Sequence, residues 1–162
     1  MKIDLIAGAR PNFIKIAPII DAIKYVQKKG VNIKYRLVHT GQHYDDNMSS
    51  SFFKELKIPP PHFNLNSGGG THAEQTGKIM IEYEKILQND KMDICLVVGD
   101  VNSTIACSIV AKKMTVPVAH VEAGIRSFDL NMPEEINRII TDSISDYFFT
   151  TSNFANSNLL KS

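Results

Sequence analysis

Short apolar runs alternate along this chain with longer stretches in which apolar residues recur every three or four positions. Lys2 to Ala7 has the pattern of a first strand. Phe13, Ile16, Ala17, Ile20, Ile23 and Val26 then recur at helical spacing and are closed by Lys28-Lys29-Gly30, as a helix C-terminus prefers. Pro18 cannot donate to the Ile14 carbonyl, which predicts one turn, a kink and then the main helix. Asn32 to Thr40 reads as a second strand, and residues 46 to 56 as a helix with Met48, Phe52, Phe53 and Leu56 inward, stopped by Pro59 to Pro61. A short extended piece is expected at His62 to Leu65. Thr71, with Glu74 three residues on, has the form of a capping box opening a helix that runs to Asn89. Strand patterns at Ile94 to Val98 and Pro117 to Val121 flank helical spacing at Val101, Ile105, Ile109, Val110 and Met114. Glu134 to Ser145 predicts another helix, Tyr147 to Thr151 a last strand, and Ser152 to Leu160 the start of one more helix. Five or six strands alternating with helices define an α/β fold with a mostly parallel sheet.

At 162 residues the chain is expected to form one domain, residues 1–162, with a full core. Its 43% hydrophobic and 22% charged content is that of a globular protein in water. A formal charge of +1, with no basic tract, gives no reason to expect nucleic acid or an anionic membrane as partner. The apolar run Ile3 to Ala7 is broken by Asp4, so a signal peptide is not expected, and no window approaches the roughly 18 apolar residues of a membrane span. Cys95 falls in a strand pattern and Cys107 in a helical one, which predicts two reduced core thiols and a reducing, cytoplasmic setting. Without a Cys-x-x-Cys or His-x-x-x-His pair, no metal is expected. A helix leaving a sheet ordinarily leads to another element, so further chain is expected after the last one.

Candidate chemistry gathers between Asp93 and Arg138. Strand, helix and strand there form a unit of ordinary length, so the two strands should be parallel with a right-handed crossover. Ligands bind beyond the carboxyl ends of such strands. Asp100 and Glu122 each stand at one of those ends, and Glu134-Glu135 follow after a short loop. Each has a plainer role open to it. Asp100 could cap the following helix, Glu122 could pair with Arg126 or Arg138, and Glu134 could serve the helix dipole or pair with Arg138 one turn on. His120 reads as a core histidine. The first turn, Gly8-Ala9-Arg10-Pro11, lacks the Gly-x-Gly-x-x-Gly of dinucleotide sites and is not a P-loop, so no nicotinamide or flavin cofactor is expected. Arg10 is placed to meet a phosphate at a helix N-terminus, or a surface acid; Lys15 lies one turn in, or on a solvated face. Carboxylates delivered to one edge of one sheet point to acid–base chemistry.

Taken in order, Ala-Gly-Ala-Arg-Pro-x-x-x-Lys-x-Ala-Pro at 7–18, Thr-Gly-Gln-His at 40–43, Ala-Glu-Gln-Thr at 73–76, Val-Gly-Asp at 98–100, His-Val-Glu-Ala-Gly-Ile-Arg at 120–126 and Met-Pro-Glu-Glu-Ile-Asn-Arg at 132–138 resemble the non-hydrolysing UDP-N-acetylglucosamine 2-epimerases. The resemblance covers essentially the whole chain. It implies a Rossmann-like three-layer domain, the N-terminal half of a glycosyltransferase-B-type fold whose active site lies between two domains. A C-terminal half holding most of the uridine-diphosphate site would then lie outside this sequence, and the 162 residues alone are expected to be inactive. Position by position, the resemblance implies that Arg10 and Lys15 face the diphosphate and sugar. It makes Asp100, Glu122 and Glu134, with Lys15, the catalytic positions. Arg138, Arg126, Gln42 and His43 would contact substrate. It further implies a UDP-sugar substrate, no cofactor and a homodimer of the full-length protein.

Such chemistry makes sense of clustered acids. The C2 proton of a 2-acetamido sugar adjoins an acetal carbon, so direct abstraction is disfavoured. Loss of UDP from C1 with removal of that proton gives a 2-acetamidoglucal, to which UDP returns after protonation from the other face. Two faces need a base and an acid on opposite sides, and cations must hold the departing diphosphate. A 2-epimerase of 2,3-diacetamido uronic-acid nucleotides and a glycosyltransferase of the same fold remain open beside it.

Overall fold

The computed structural model describes residues 1–41 and 53–161. Strand β1 (Lys2–Ala7) leads into helix α1 (Arg10–Lys28) and β2 (Lys34–His39). A two-residue β3 (Phe63–Asn64) precedes α2 (His72–Asn89), β4 (Ile94–Val98) and α3 (Asn102–Lys113). The chain closes with β5 (Val118–Val121), α4 (Pro133–Ile144), β6 (Tyr147–Phe149) and α5 (Asn153–Leu159). All neighbours in the sheet are parallel, in the order β3-β2-β1-β4-β5-β6.

Because successive strand residues point to opposite faces, the central strands supply two cores at once. Leu5, Leu37, Leu96 and Val98 meet Phe13, Ile16, Ile20 and Ile23 of α1 on one face. Ile6, Val38, Val97 and Val118 meet Ile79, Tyr83 and Leu87 of α2 and Ala106, Cys107 and Val110 of α3 on the other. The result is the expected three-layer α/β domain. Both cysteines are free and buried. No helix of the described residues is long and apolar enough to cross a membrane.

The predicted elements that fall on described residues form, with ends displaced by a few residues. Thr71 caps α2 as expected: its hydroxyl accepts from the Glu74 N–H at 3.2 Å, and the Glu74 carboxylate accepts from the Thr71 N–H at 2.8 Å. Helix α1 runs from Arg10 to Lys28 with Pro18 inside it, so the first turn and the main helix are one element. Pro18 and Ile14, whose carbonyl loses its helical donor, are both exposed, so solvent can take that donor's place. Most of the helix expected at 46 to 56 lies outside the described residues.

A buried polar cluster crosses the sheet nearer the amino than the carboxyl ends of β1 and β2. Arg36 on β2 donates to both oxygens of Asp4 on β1, at 2.6 and 2.8 Å, and the Tyr83 hydroxyl donates to the same carboxylate at 2.9 Å. Asp4 is fully buried.

Candidate active site

The carboxyl ends of β1, β4 and β5 lie side by side, and the turns leaving them carry most of the candidate residues. In the first turn, Asn12 does the local work. Its side-chain oxygen accepts from the Gly8 and Ala9 N–H groups at 3.1 and 2.8 Å, and its amide donates to the Val98 carbonyl at the end of β4 at 3.0 Å. The turn is thereby tied to the neighbouring strand, and α1 starts at Arg10 over the sheet edge. Gly8 must be glycine for packing reasons, because an added Cβ would stand 2.0 Å from the Ser103 hydroxyl.

Beyond β4, Gly99 adopts φ +71°, a conformation glycine takes without cost. The space above it is filled by three side chains: a Cβ there would lie 3.5 Å from Glu122 Oε2, 3.6 Å from Asn12 Nδ2 and 3.8 Å from Lys15 Nζ. Lys15, on the second turn of α1, donates to Glu122 Oε2 at 2.5 Å. Glu122 therefore pairs with neither Arg126 nor Arg138, the two partners sequence spacing offered. Its backbone has φ +72°, a left-handed conformation that costs a residue with a Cβ about 1–2 kcal/mol. The Phe149 carbonyl of β6 accepts its N–H at 2.9 Å, which helps to hold the turn. Glu122 thus combines a left-handed backbone with a part-exposed carboxylate at a strand end.

Asp100 does not cap α3, whose N-cap is Val101. It turns to α4 instead. Arg138 Nε donates to Asp100 Oδ2 at 2.9 Å, and the Asn137 amide donates to the Asp100 carbonyl at 2.8 Å. The same guanidinium donates to Glu135 Oε2 at 2.5 Å. Glu135 also accepts from the N–H groups of Ser127 and Phe128, at 2.9 and 3.0 Å. Burial pushes the Glu135 carboxyl up, but these donors more than offset it and hold it below the ordinary carboxylate range. Burial lowers Arg138, and its bonds to Glu135 and Asp100 outweigh that and raise it.

The structure thus brings Lys15, Glu122, Asp100 and Arg138 to one edge of the sheet, as two ion pairs joined through Gly99-Asp100. Arg10 opens α1 at that edge and is exposed. Glu134 stands half-buried in the first turn of α4, and no bond from it to Lys15, Asp100 or Arg138 is present; Arg138 binds Glu135 rather than its i−4 neighbour. Arg126 points elsewhere, donating to Asp142 at 2.6 Å. Gln42 and His43 lie outside the described residues. Among the described residues no group of three or more His, Cys, Asp or Glu could hold a metal ion.

Three contributors escaped the sequence reading. Asn12 follows the first turn and is not among the sequence candidates. Glu135 was grouped with Glu134, although Glu135, Arg138 and Asp142 recur at helical spacing on the buried stripe of α4. Asp142 was not singled out at all. It accepts from the Gly124 N–H at 3.0 Å and faces His120 Nδ1 at 2.7 Å.

Comparison with known proteins agrees with this fold. The family model described as UDP-N-acetylglucosamine 2-epimerase matches residues 25–162. The UDP-N-acetylglucosamine 2-epimerase of Methanocaldococcus jannaschii is 52% identical over 161 residues, 99% of this chain and 43% of that protein. A UDP-2,3-diacetamido-2,3-dideoxy-D-glucuronate 2-epimerase of Pseudomonas aeruginosa is 48% identical over 159 residues, 98% of this chain and 44% of that protein. The crystal structure of the M. jannaschii enzyme in complex with UDP-GlcNAc and UDP superposes with a TM-score of 0.92, covering 99% of this chain and 43% of that one at 52% identity. A Neisseria meningitidis UDP-GlcNAc 2-epimerase bound to UDP-GlcNAc gives a TM-score of 0.88 at 32% identity, covering 99% of this chain and 43% of that one. The chain spans less than half the length of these relatives. With its parallel sheet, its paired strand-end acids and a family match over most of its residues, it belongs to the UDP-N-acetylglucosamine 2-epimerase family.

Proposed function

We propose that this chain is the N-terminal domain of a UDP-N-acetylglucosamine 2-epimerase, interconverting UDP-N-acetylglucosamine and UDP-N-acetylmannosamine. The observation that carries the reading is the Lys15–Glu122 pair at 2.5 Å, beside Asp100–Arg138, at the carboxyl edge of the sheet. In the reaction a carboxylate takes the C2 proton. The C–H electron pair becomes the C1=C2 bond, and the C1–O pair leaves with UDP. UDP then adds back to C1 as an acid delivers a proton to C2 from the opposite face. Asp100, Glu122 and Glu134 are the acid and base candidates, on turns from three separate elements. Lys15 and Arg10 meet the negative charge of the sugar diphosphate, helped by the α1 N-terminus. Arg138 orients Asp100; Gln42 and His43 are further substrate contacts, and Arg126 is tied to Asp142 instead. The remaining uridine-diphosphate contacts fall to a second domain, and the complete protein works as a cytoplasmic homodimer.

The test is turnover in deuterated water by the complete polypeptide. Epimerisation should proceed with sugar nucleotide alone and place deuterium at C2 of the product. Retention of the original hydrogen would reject elimination and re-addition, and a requirement for an acceptor would point to a glycosyltransferase. The 162-residue chain alone should show no turnover. One second reading has specific support: the P. aeruginosa relative, named for a diacetamido uronate, is nearly as similar as the M. jannaschii enzyme. Parallel assays with both sugar nucleotides decide between them by kcat/KM.

A further inference from the structure

His120 and Asp142 form a buried polar pair that the reaction scheme leaves unused. Their side chains are 1% and 3% exposed. Asp142 lies one turn after Arg138 on α4, and its two oxygens serve three residues on β5 and the loop that follows it. One faces His120 Nδ1 on β5 at 2.7 Å; the other accepts from Gly124 N–H at 3.0 Å and from Arg126 at 2.6 Å. Burial pushes the Asp142 carboxyl up, but these donors more than offset it and keep it below the ordinary range, so it stays an acceptor.

Held from one side by Asp142, the imidazole directs Nε2 at the Gly99 carbonyl, 2.8 Å away. The Gly99 peptide is then gripped at both ends, because the Gly99 N–H donates to the Val121 carbonyl at 3.0 Å. Asp100 follows directly. On the other branch, the bond from Gly124 N–H fixes the turn that begins with the strained Glu122. One carboxylate on α4 thus sets the backbone under both strand-end acids.

We propose that Asp142 and His120 are positioning residues which set the separation of the Asp100 and Glu122 carboxylates, acting through the Gly99 carbonyl and the Gly124 amide. This rests on the functional reading above, which gives those two carboxylates their task. His120 and Asp142 are buried and act through other groups, so loss of the brace should misplace the reacting groups more than it weakens substrate binding.

The experiment uses the complete polypeptide. Asp142→Asn should lower kcat about 100-fold, the penalty of a misplacement near 1 Å, with KM changed less than about threefold. His120→Gln keeps a donor near the position of Nε2 and should retain at least about a tenth of wild-type kcat, whereas His120→Leu should fall as far as Asp142→Asn. A merely structural role would lower the folded fraction, and His120→Gln would match His120→Leu in kcat per folded molecule. That match, or wild-type kcat in Asp142→Asn, would overturn the proposal. Crystal structures of the variants separate the two readings. A changed Asp100–Glu122 separation in an enzyme without epimerase activity would support positioning and sink the assigned reaction. An unchanged separation in an active enzyme would sink positioning alone.

Discussion

Two ion pairs in this domain have nearly the same length and opposite surroundings. Arg36–Asp4 closes at 2.6 Å and Lys15–Glu122 at 2.5 Å. Asp4 is 0% exposed and receives three hydrogen bonds, two of them from the forked guanidinium, so its acceptor capacity is largely used inside the protein. Lys15 and Glu122 are 35% and 24% exposed and share a single hydrogen bond on a left-handed residue. An arginine fork suits a sealed pair, and a lysine, with donors to spare, suits one that must also meet a ligand. Distance does not tell these two pairs apart. Saturation, exposure and backbone strain do.

Breaking the sealed pair should have the largest effect on stability. Arg36→Ala leaves a buried carboxylate without its cation and should cost about 3–5 kcal/mol in urea unfolding, with kcat per folded molecule unchanged. Stability unchanged to within about 1 kcal/mol would show that the cluster is not sealed as described.

Acid sharpens the comparison by sign. Asp142 and Glu135 sit below the ordinary carboxylate range when folded and return to about 4 when unfolded. The folded chain therefore binds fewer protons in acid, and their stabilisation is present above about pH 5 and lost as pH falls through 4 and below. Asp4 has the opposite sign: burial pushes its carboxyl up, so its contribution is present in acid and fades as pH rises through its folded value. Unfolding midpoints measured against pH should show an acid-side loss that Asp142→Asn reduces. An equal loss in wild type and Asp142→Asn would contradict the assignment.

The smallest effect tests strain at the Lys15–Glu122 pair. Glu122→Gly relieves the left-handed backbone while giving up a half-exposed ion pair worth at most about 1 kcal/mol, so stability should be unchanged or rise by up to about 1 kcal/mol. A loss of more than about 1 kcal/mol would mean that Glu122 is chiefly structural.

Much of this was legible from residue order because the sheet is buried on both faces and its strands are near-continuous apolar runs. Ile94–Val98 forms as predicted, and Asp100 and Glu122 stand beyond strand ends as expected. Partner choice was not legible. Lys15 and Glu122 are 107 positions apart, and Arg36 and Asp4 are 32 apart on adjacent strands, so chain spacing says nothing of either pairing. Spacing pointed instead to Glu134–Arg138, which loses to Glu135 because Glu135 lies on the buried stripe with Arg138. Pro18 does not end the helix, for a related reason: a helix tolerates a missing donor on its wet side.

The central claim is that the open, strained pair is the chemical one. Deuterium incorporation at C2 of the sugar nucleotide, followed in the complete polypeptide and its Glu122→Gln variant, tests it most directly. The account predicts that the variant folds with wild-type stability to within about 1 kcal/mol and exchanges C2 deuterium at least about 100-fold more slowly. Exchange at the wild-type rate by folded Glu122→Gln would contradict it.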